Sequence, residues 1–227
     1  MRGVSNYKFV ASICIVVCIN LLLPVNALAK DDAGKVLRVT GRATVTTQQG
    51  EIKQISKGTK LRPTEIVSTS ARSYVRMKME DSSYIMVRPD SRMVIDEFKF
   101  NKKKPAENKS FFSLLKGGFR AVTGLIEDKK KYRYRTAVAT IGIRGTDFSV
   151  RICNGDCYDI DPVPPNGLFL HFHSKDGTVN SGAGDIPVLQ GQYAYVPRSG
   201  SSVIFFDVEP EVFAQSPIPS PVPDCKQ

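Results

Sequence analysis

The sequence predicts an all-β fold, and three observations predict it. β-Branched residues recur in short runs, Gly-containing turns separate the runs, and the cleanest of them alternates apolar and polar side chains with a period of two. Helical periodicity is nearly absent. With 227 residues, 41% of them hydrophobic and 24% charged, the composition is that of an ordinary globular chain. It excludes a polytopic membrane protein, a collagen-like chain and a largely disordered one. The length suits one large domain or two small ones, with a core big enough to fold without metal or disulfide support.

The first 29 residues stand outside that fold. Arg2 and Lys8 precede an apolar run from Phe9 to Leu23, and Ala27-Leu28-Ala29 supplies a small-x-small cleavage signal, so the segment reads as a secretory signal peptide. Kept uncleaved, Phe9 to Ala29 is just long enough to serve as a membrane anchor. Cleavage leaves no transmembrane span, and bulky Val17 before Cys18 disfavours lipidation.

Strands follow in order. Val36 to Val39 and Ala43 to Thr46 flank Thr40-Gly41, and Gln49-Gly50-Glu51 turns the chain into Ile52 to Ile55. From Tyr74 to Glu80, Val75, Met77 and Met79 occupy one face and Arg76, Lys78 and Glu80 the other, the pattern of one buried and one wet side. Asp81-Ser82-Ser83 closes a hairpin into Tyr84 to Val87, which Arg88-Pro89-Asp90 ends. Residues 101–110 lack apolar periodicity and read as a solvated loop. Phe111 to Leu115, Gly118 to Val122, Tyr132 to Thr136, Ala137 to Val150, Leu168 to His173, Gly191 to Val196 and Ser202 to Val208 carry strand character. From Ser216 the Pro-rich stretch reads as an extended tail.

Charge is unevenly spread. Phe98 to Arg135 holds 12 basic and 3 acidic side chains, whereas Ile152 to Gln227 holds 3 and 9. Lys102, Lys103, Lys104 and Lys109, with Lys129, Lys130, Lys131, Arg133 and Arg135, make a candidate cationic surface. Tyr132 and Tyr134 interleave with it in the way that invites a nucleic-acid reading. Export argues against that partner, so no nucleic acid is expected. An envelope protein, or an anionic envelope polymer or lipid headgroup, fits the compartment better, and a merely solubilising basic loop is the plainer reading.

After the leader, Cys153, Cys157 and Cys225 remain. In an oxidising compartment Cys153 and Cys157 are the preferred disulfide, with Asn154-Gly155-Asp156 making the reversal, although Cys225 competes. A zinc site would need these cysteines plus His171 and His173, at a spacing that matches no usual motif. Asn154, Asp156, Asp159 and Asp161 offer oxygen ligands for a calcium-stabilised loop without the EF-hand order, against an exposed acidic turn. No Gly-x-Ser-x-Gly, phosphate loop, His-Glu-x-x-His or Rossmann fingerprint occurs. No cofactor is expected. The enzymatic alternative is a metal-dependent or hydrolytic site around His171 and His173.

Thr136 to Phe148 (Thr-Ala-Val-Ala-Thr-Ile-Gly-Ile-Arg-Gly-Thr-Asp-Phe) closely resembles the signature of the FecR domain, an extracytoplasmic all-β module, and Leu114 to Ile126 resembles the segment before it. The resemblance runs from about Gly34 to Val150, and its specific part is Gly142 to Asp147. Two turns differ: the family's Gly-Asp is Thr64-Glu65 here, and its Asp-Gly-Ser is Asp81-Ser82-Ser83. The resemblance implies a compact multi-stranded β-sandwich or short β-solenoid over 30–150; the residues beyond it read as a β extension over 151–208 packing on the same domain and a Pro-rich tail over 209–227.

The regulator that names the family binds a sigma factor through a cytoplasmic segment before its membrane span. Only eight residues precede the apolar run here, so no sigma factor is expected as partner. The resemblance implies instead a stand-alone exported FecR-domain protein, a non-catalytic binding module of the periplasm or extracellular space. The signature residues Thr136, Gly142, Arg144, Gly145, Thr146, Asp147 and Phe148 read as a fold-defining corner, with Arg144 pairing Asp147 or capping carbonyls. The alternative places Arg144 and Thr146 on a pocket for an anionic ligand.

Overall fold

A strand with apolar residues at every second position must bury one face, and two sheets of such strands bury each other. The computed structural model describes residues 32–182, 184–200 and 202–223, and in it two nine-stranded sheets share one core. The signal-peptide reading, Cys14, Cys18 and Cys225 lie outside the described residues.

The first sheet contains β1 (Gly34–Thr40), β4 (Lys60–Leu61), β6 (Tyr74–Met79), β7 (Tyr84–Val87), β10 (Gly118–Val122), β13 (Asp147–Cys153), β14 (Gly167–Ser174), β17 (Tyr193–Pro197) and β18 (Ile204–Phe206). Its order is β18-β17-β14-β13-β10-β7-β6-β1-β4. The second contains β2 (Ala43–Thr46), β3 (Ile52–Gln54), β5 (Ile66–Thr69), β8 (Arg92–Lys99), β9 (Lys109–Lys116), β11 (Tyr132–Thr136), β12 (Thr140–Ile143), β15 (Gly177–Asn180) and β16 (Asp185–Val188). Its order is β16-β15-β12-β11-β9-β8-β5-β2-β3. The hairpins β6–β7, β8–β9, β11–β12, β13–β14, β15–β16 and β17–β18 fall in alternate sheets, with β10 crossing over alone, so the sandwich is wound like a solenoid. Neither sheet closes into a barrel. Because the chain leaves for the first sheet at β10 and returns, β9 and β11 pair in parallel.

Val75, Met77 and Met79 point inward and Arg76 and Lys78 outward, as the alternation requires. The centre of the core is an aromatic row. Tyr134 stacks between Phe112 and Phe119 at 5.5 and 5.2 Å and meets the edge of Phe148, which stacks on Phe172. The two turns that lack the family's glycine keep a left-handed backbone, with φ of 74° at Thr64 and 65° at Ser82. A side chain there costs ~1 kcal/mol relative to glycine.

Several elements differ from the sequence expectation, Gly177–Asn180 among them as an added strand. Arg92–Lys99 is a full strand, and Asp185–Val188 is a strand in spite of Pro187, which an edge position tolerates. The region read as a Pro-rich, extended tail packs on the body as a strap. A one-turn helix α1 (Glu211–Ala214) buries Val212 and Phe213 against Cys153, Cys157, Ile160, Phe169 and Tyr195 on the outer face of the first sheet. The chain then continues across that face with Ile218 buried. Arg88 donates to Ser216 Oγ (3.0 Å) and Arg120 to the Ile218 carbonyl (3.4 Å). Two adjacent apolar residues show no period, so the sequence gives no sign of this docking.

Candidate functional site

The signature folds as a corner between sheets. Thr136 Oγ1 accepts from the amides of Val138 and Ala139 and donates to the Ala139 carbonyl, closing the β11–β12 hairpin. Gly142 is paired with Thr178, and a Cβ there would lie 2.6 Å from Thr178 Oγ1, so a side chain would have to displace that hydroxyl. Gly145 takes φ of 85°, Thr146 Oγ1 accepts from the Arg144 amide, and Phe148 enters the aromatic row. The expected Arg144–Asp147 pair does not form. Asp147 instead accepts from Arg120 Nε and Nη2 on the neighbouring strand β10, at 2.8 and 2.7 Å, because the two side chains are diagonal neighbours on one face of the ladder, where Arg120 is opposite Ser149.

Arg144 is left exposed beside the basic segment. An open groove of about 960 Å³ on the second sheet is lined by Lys129, Lys130, Arg133, Thr140, Gly142, Arg144, Thr178 and Asn180, with Glu127, Asp128 and Asp185 also on its walls. Two features read separately in the sequence, the signature and the second lysine cluster, thus form one surface. Lys129 is committed to the fold: its ammonium donates to the carbonyls of Gly124 and Ile126, and burial, joined by the charge of Lys175, lowers its pKa. Arg133 lies over the Phe111 ring at 5.3 Å. The ammonium of Lys130 and the guanidinium of Arg144 have no ion-pair partner among the described residues, so they remain free to meet an anion.

The first lysine cluster adjoins the second. Lys131 Nζ donates to the carbonyls of Pro105 and Ala106, which brings the exposed Lys102, Lys103 and Lys104 next to the turn Lys129–Lys131. Lys109 is turned to Glu97 instead, and Arg135 lies outward on β11 opposite Thr140. Tyr132 and Tyr134 are 0% and 1% exposed, which removes the stacking platform that the interleaved tyrosines implied. In a strand their parity is opposite to that of Arg133 and Arg135, so they face the core while the cations face water.

The residues of the metal and catalytic readings are placed as follows. Cys153 and Cys157 are joined by a disulfide, with Cα atoms 5.5 Å apart, and are not ligands beside the histidines. No group of three or more His, Cys, Asp or Glu is placed to hold a metal among the described residues. The acidic loop is dispersed. Asp156 accepts from the Asn154 amide and faces Lys116, Asp159 engages Arg151 and Arg88, and the Asp161 amide and carbonyl bond the Gln215 side chain. Each of these contacts satisfies its residue locally instead of turning it toward a common cation.

His171 and His173 do share a face of β14, with rings 4.1 Å apart. His171 stacks on Tyr193, and burial, then the charges of His173 and Arg120, lower its pKa to about 4. His173 Nε2 lies 2.7 Å from Ser149 Oγ, a nucleophile-and-base contact by distance, with Ser149 only 2% exposed. The pair is half-buried, with the His171 ring 6.3 Å from Phe213 of the strap.

A family model described as FecR protein matches residues 65–158. No curated protein matches the chain. Two crystal structures of a candidate anti-sigma factor from Parabacteroides distasonis ATCC 8503 are similar, each with 11% identity and a TM-score of 0.47, covering 62% of this chain. The chain spans 58% of the length of those structures. Their name lends no support to the expectation that a sigma factor is not a partner, and at that TM-score it carries no argument for one. Among the described residues no helix is long and apolar enough to cross a membrane.

Proposed function

From a chain whose residues 65–158 match the FecR family, we propose an exported, non-catalytic binding module that takes part in envelope signalling by holding an anionic envelope component against its second sheet. The observation that carries this reading is the groove in which Lys130, Arg133 and the signature residue Arg144 meet without a nucleophile or metal site nearby. An acidic polysaccharide or an anionic lipid headgroup supplies the complementary charge, and a broad open groove suits a polymer or a surface better than a compact substrate.

The test is binding of the protein to an immobilised acidic polysaccharide and to vesicles with anionic headgroups, followed across salt concentration. The double variant Arg133→Ala, Arg144→Ala, altered only at exposed positions, weakens binding several-fold at low salt and flattens the salt dependence. Unchanged affinity in that variant overturns the reading.

A further inference from the structure

On the outer face of the first sheet, away from the groove, lies a second cavity of about 420 Å³ whose floor is two buried arginines. Arg151 is 1% exposed and Arg88 6%. They come from β13 and from the turn after β7, and between them share a single carboxylate. Asp159 accepts from Arg151 Nη2 at 2.6 Å and from Arg88 Nη2 at 3.3 Å. The other acceptors are neutral: the Val212 carbonyl for Arg151 and Ser216 Oγ for Arg88. Arg151 Nε is buried with no partner. Burial, then the like charge of Arg151, lowers the pKa of Arg88.

Two desolvated guanidiniums share Asp159 as their one ion-pair contact among the described residues, with Asp90 acting on Arg88 only from beyond contact distance, so the pair is incompletely compensated and a buried donor is unmade, both of which are costly. Asp159 is half exposed, on the loop between β13 and β14, so it can leave while the arginines stay. Tyr74, Pro89 and Tyr158 form a partly apolar wall, and the volume falls in the range of small-ligand sites. Asp90 and Asp156 also line the cavity, with Asp156 turned to Lys116.

We propose that this cavity binds a small ligand through a carboxylate or phosphate group, and that Asp159 is the internal anion occupying the arginines until the ligand replaces it. The site is independent of the groove on the second sheet. A guanidinium pair offers ten donors in fixed forks, matched to the oxygens of either anion.

The experiment measures thermal stability and calorimetric binding of the protein with inorganic phosphate and with acetate, against chloride at matched ionic strength. A saturable rise in Tm with either oxyanion is expected, and whichever responds identifies the class. Asp159→Asn melts lower than the parent without ligand, yet binds the oxyanion several-fold more tightly and recovers stability on adding it, because an internal competitor has gone. Arg88→Ala abolishes the response, and Arg133→Ala, Arg144→Ala keeps it. A response equal to that of chloride, an Asp159→Asn protein that oxyanions do not rescue, or a response lost with the groove variant each overturns the proposal. The last outcome would leave the groove reading standing, and loss of polymer binding alone would leave this one.

Discussion

Tyr132 shows how one hydroxyl organises a buried corner. It donates to the Asp81 carboxylate, which is wholly buried and also accepts from the Ser83 amide and hydroxyl, and it accepts from the amides of Gly124 and Ile126. Burial, then the negative charge of Asp81, raises the Tyr132 pKa. Tyr132→Phe removes the shared hydroxyl and leaves a buried carboxylate and two amides short of a partner. A loss of about 2 kcal/mol is expected, read as a Tm drop of roughly 4–8 °C by calorimetry. The orientation of this residue was legible in the sequence, since Tyr132 and Tyr134 alternate with arginines and the period-two rule puts them inside. Its partner was not, because Asp81 lies far away in the chain and reads only as a turn residue.

At the scale of elements, the strap is the part held most locally. Its anchor is Phe213, buried with Val212 in a small cluster of its own, apart from the main core. Removing a buried Phe side chain costs about 3–5 kcal/mol, more than a one-turn helix and a few hydrogen bonds can sustain. Phe213→Ala is expected to free residues 211–223 while both sheets persist: limited proteolysis gains a cut in that segment and far-UV circular dichroism keeps its strand signal. The strands themselves were legible because alternation, Gly turns and β-branched runs act locally. The strap, the bonding of β13 beside β10 and the meeting of Arg88 with Arg151 were not, because they depend on which sheet each hairpin joins. The groove was half legible: both sets of residues stood out, but only the pairing of β11 with β12 puts them side by side.

For the molecule as a whole, the histidine pair sets the direction of its pH response. His171 and His173 face each other, Arg120, Asp147, Tyr193 and the strap's Phe213, and burial, with Arg120 adding to it, lowers both pKa values from 6.5. The folded state therefore resists protons that the unfolded chain accepts. Stability is full above pH 6.5, falls as the pH drops toward about 4, and flattens below the folded pKa as far as His171 is concerned. A Tm profile should show this slope, and His171→Gln with His173→Gln should flatten it; a parent profile flat from pH 7 to 4 contradicts the assignment.

Open sheets also raise the question of what stops them from recruiting further chains. Unpaired strand borders are templates for aggregation, and each of the four here is blunted in its own way. β4 has two residues and β3 three, β16 places Pro187 where a ladder would need an amide, and β18 has three residues before Asp207. The winding that adds one hairpin after another therefore ends, among the described residues, in borders too short or too irregular to be ready templates for a further strand.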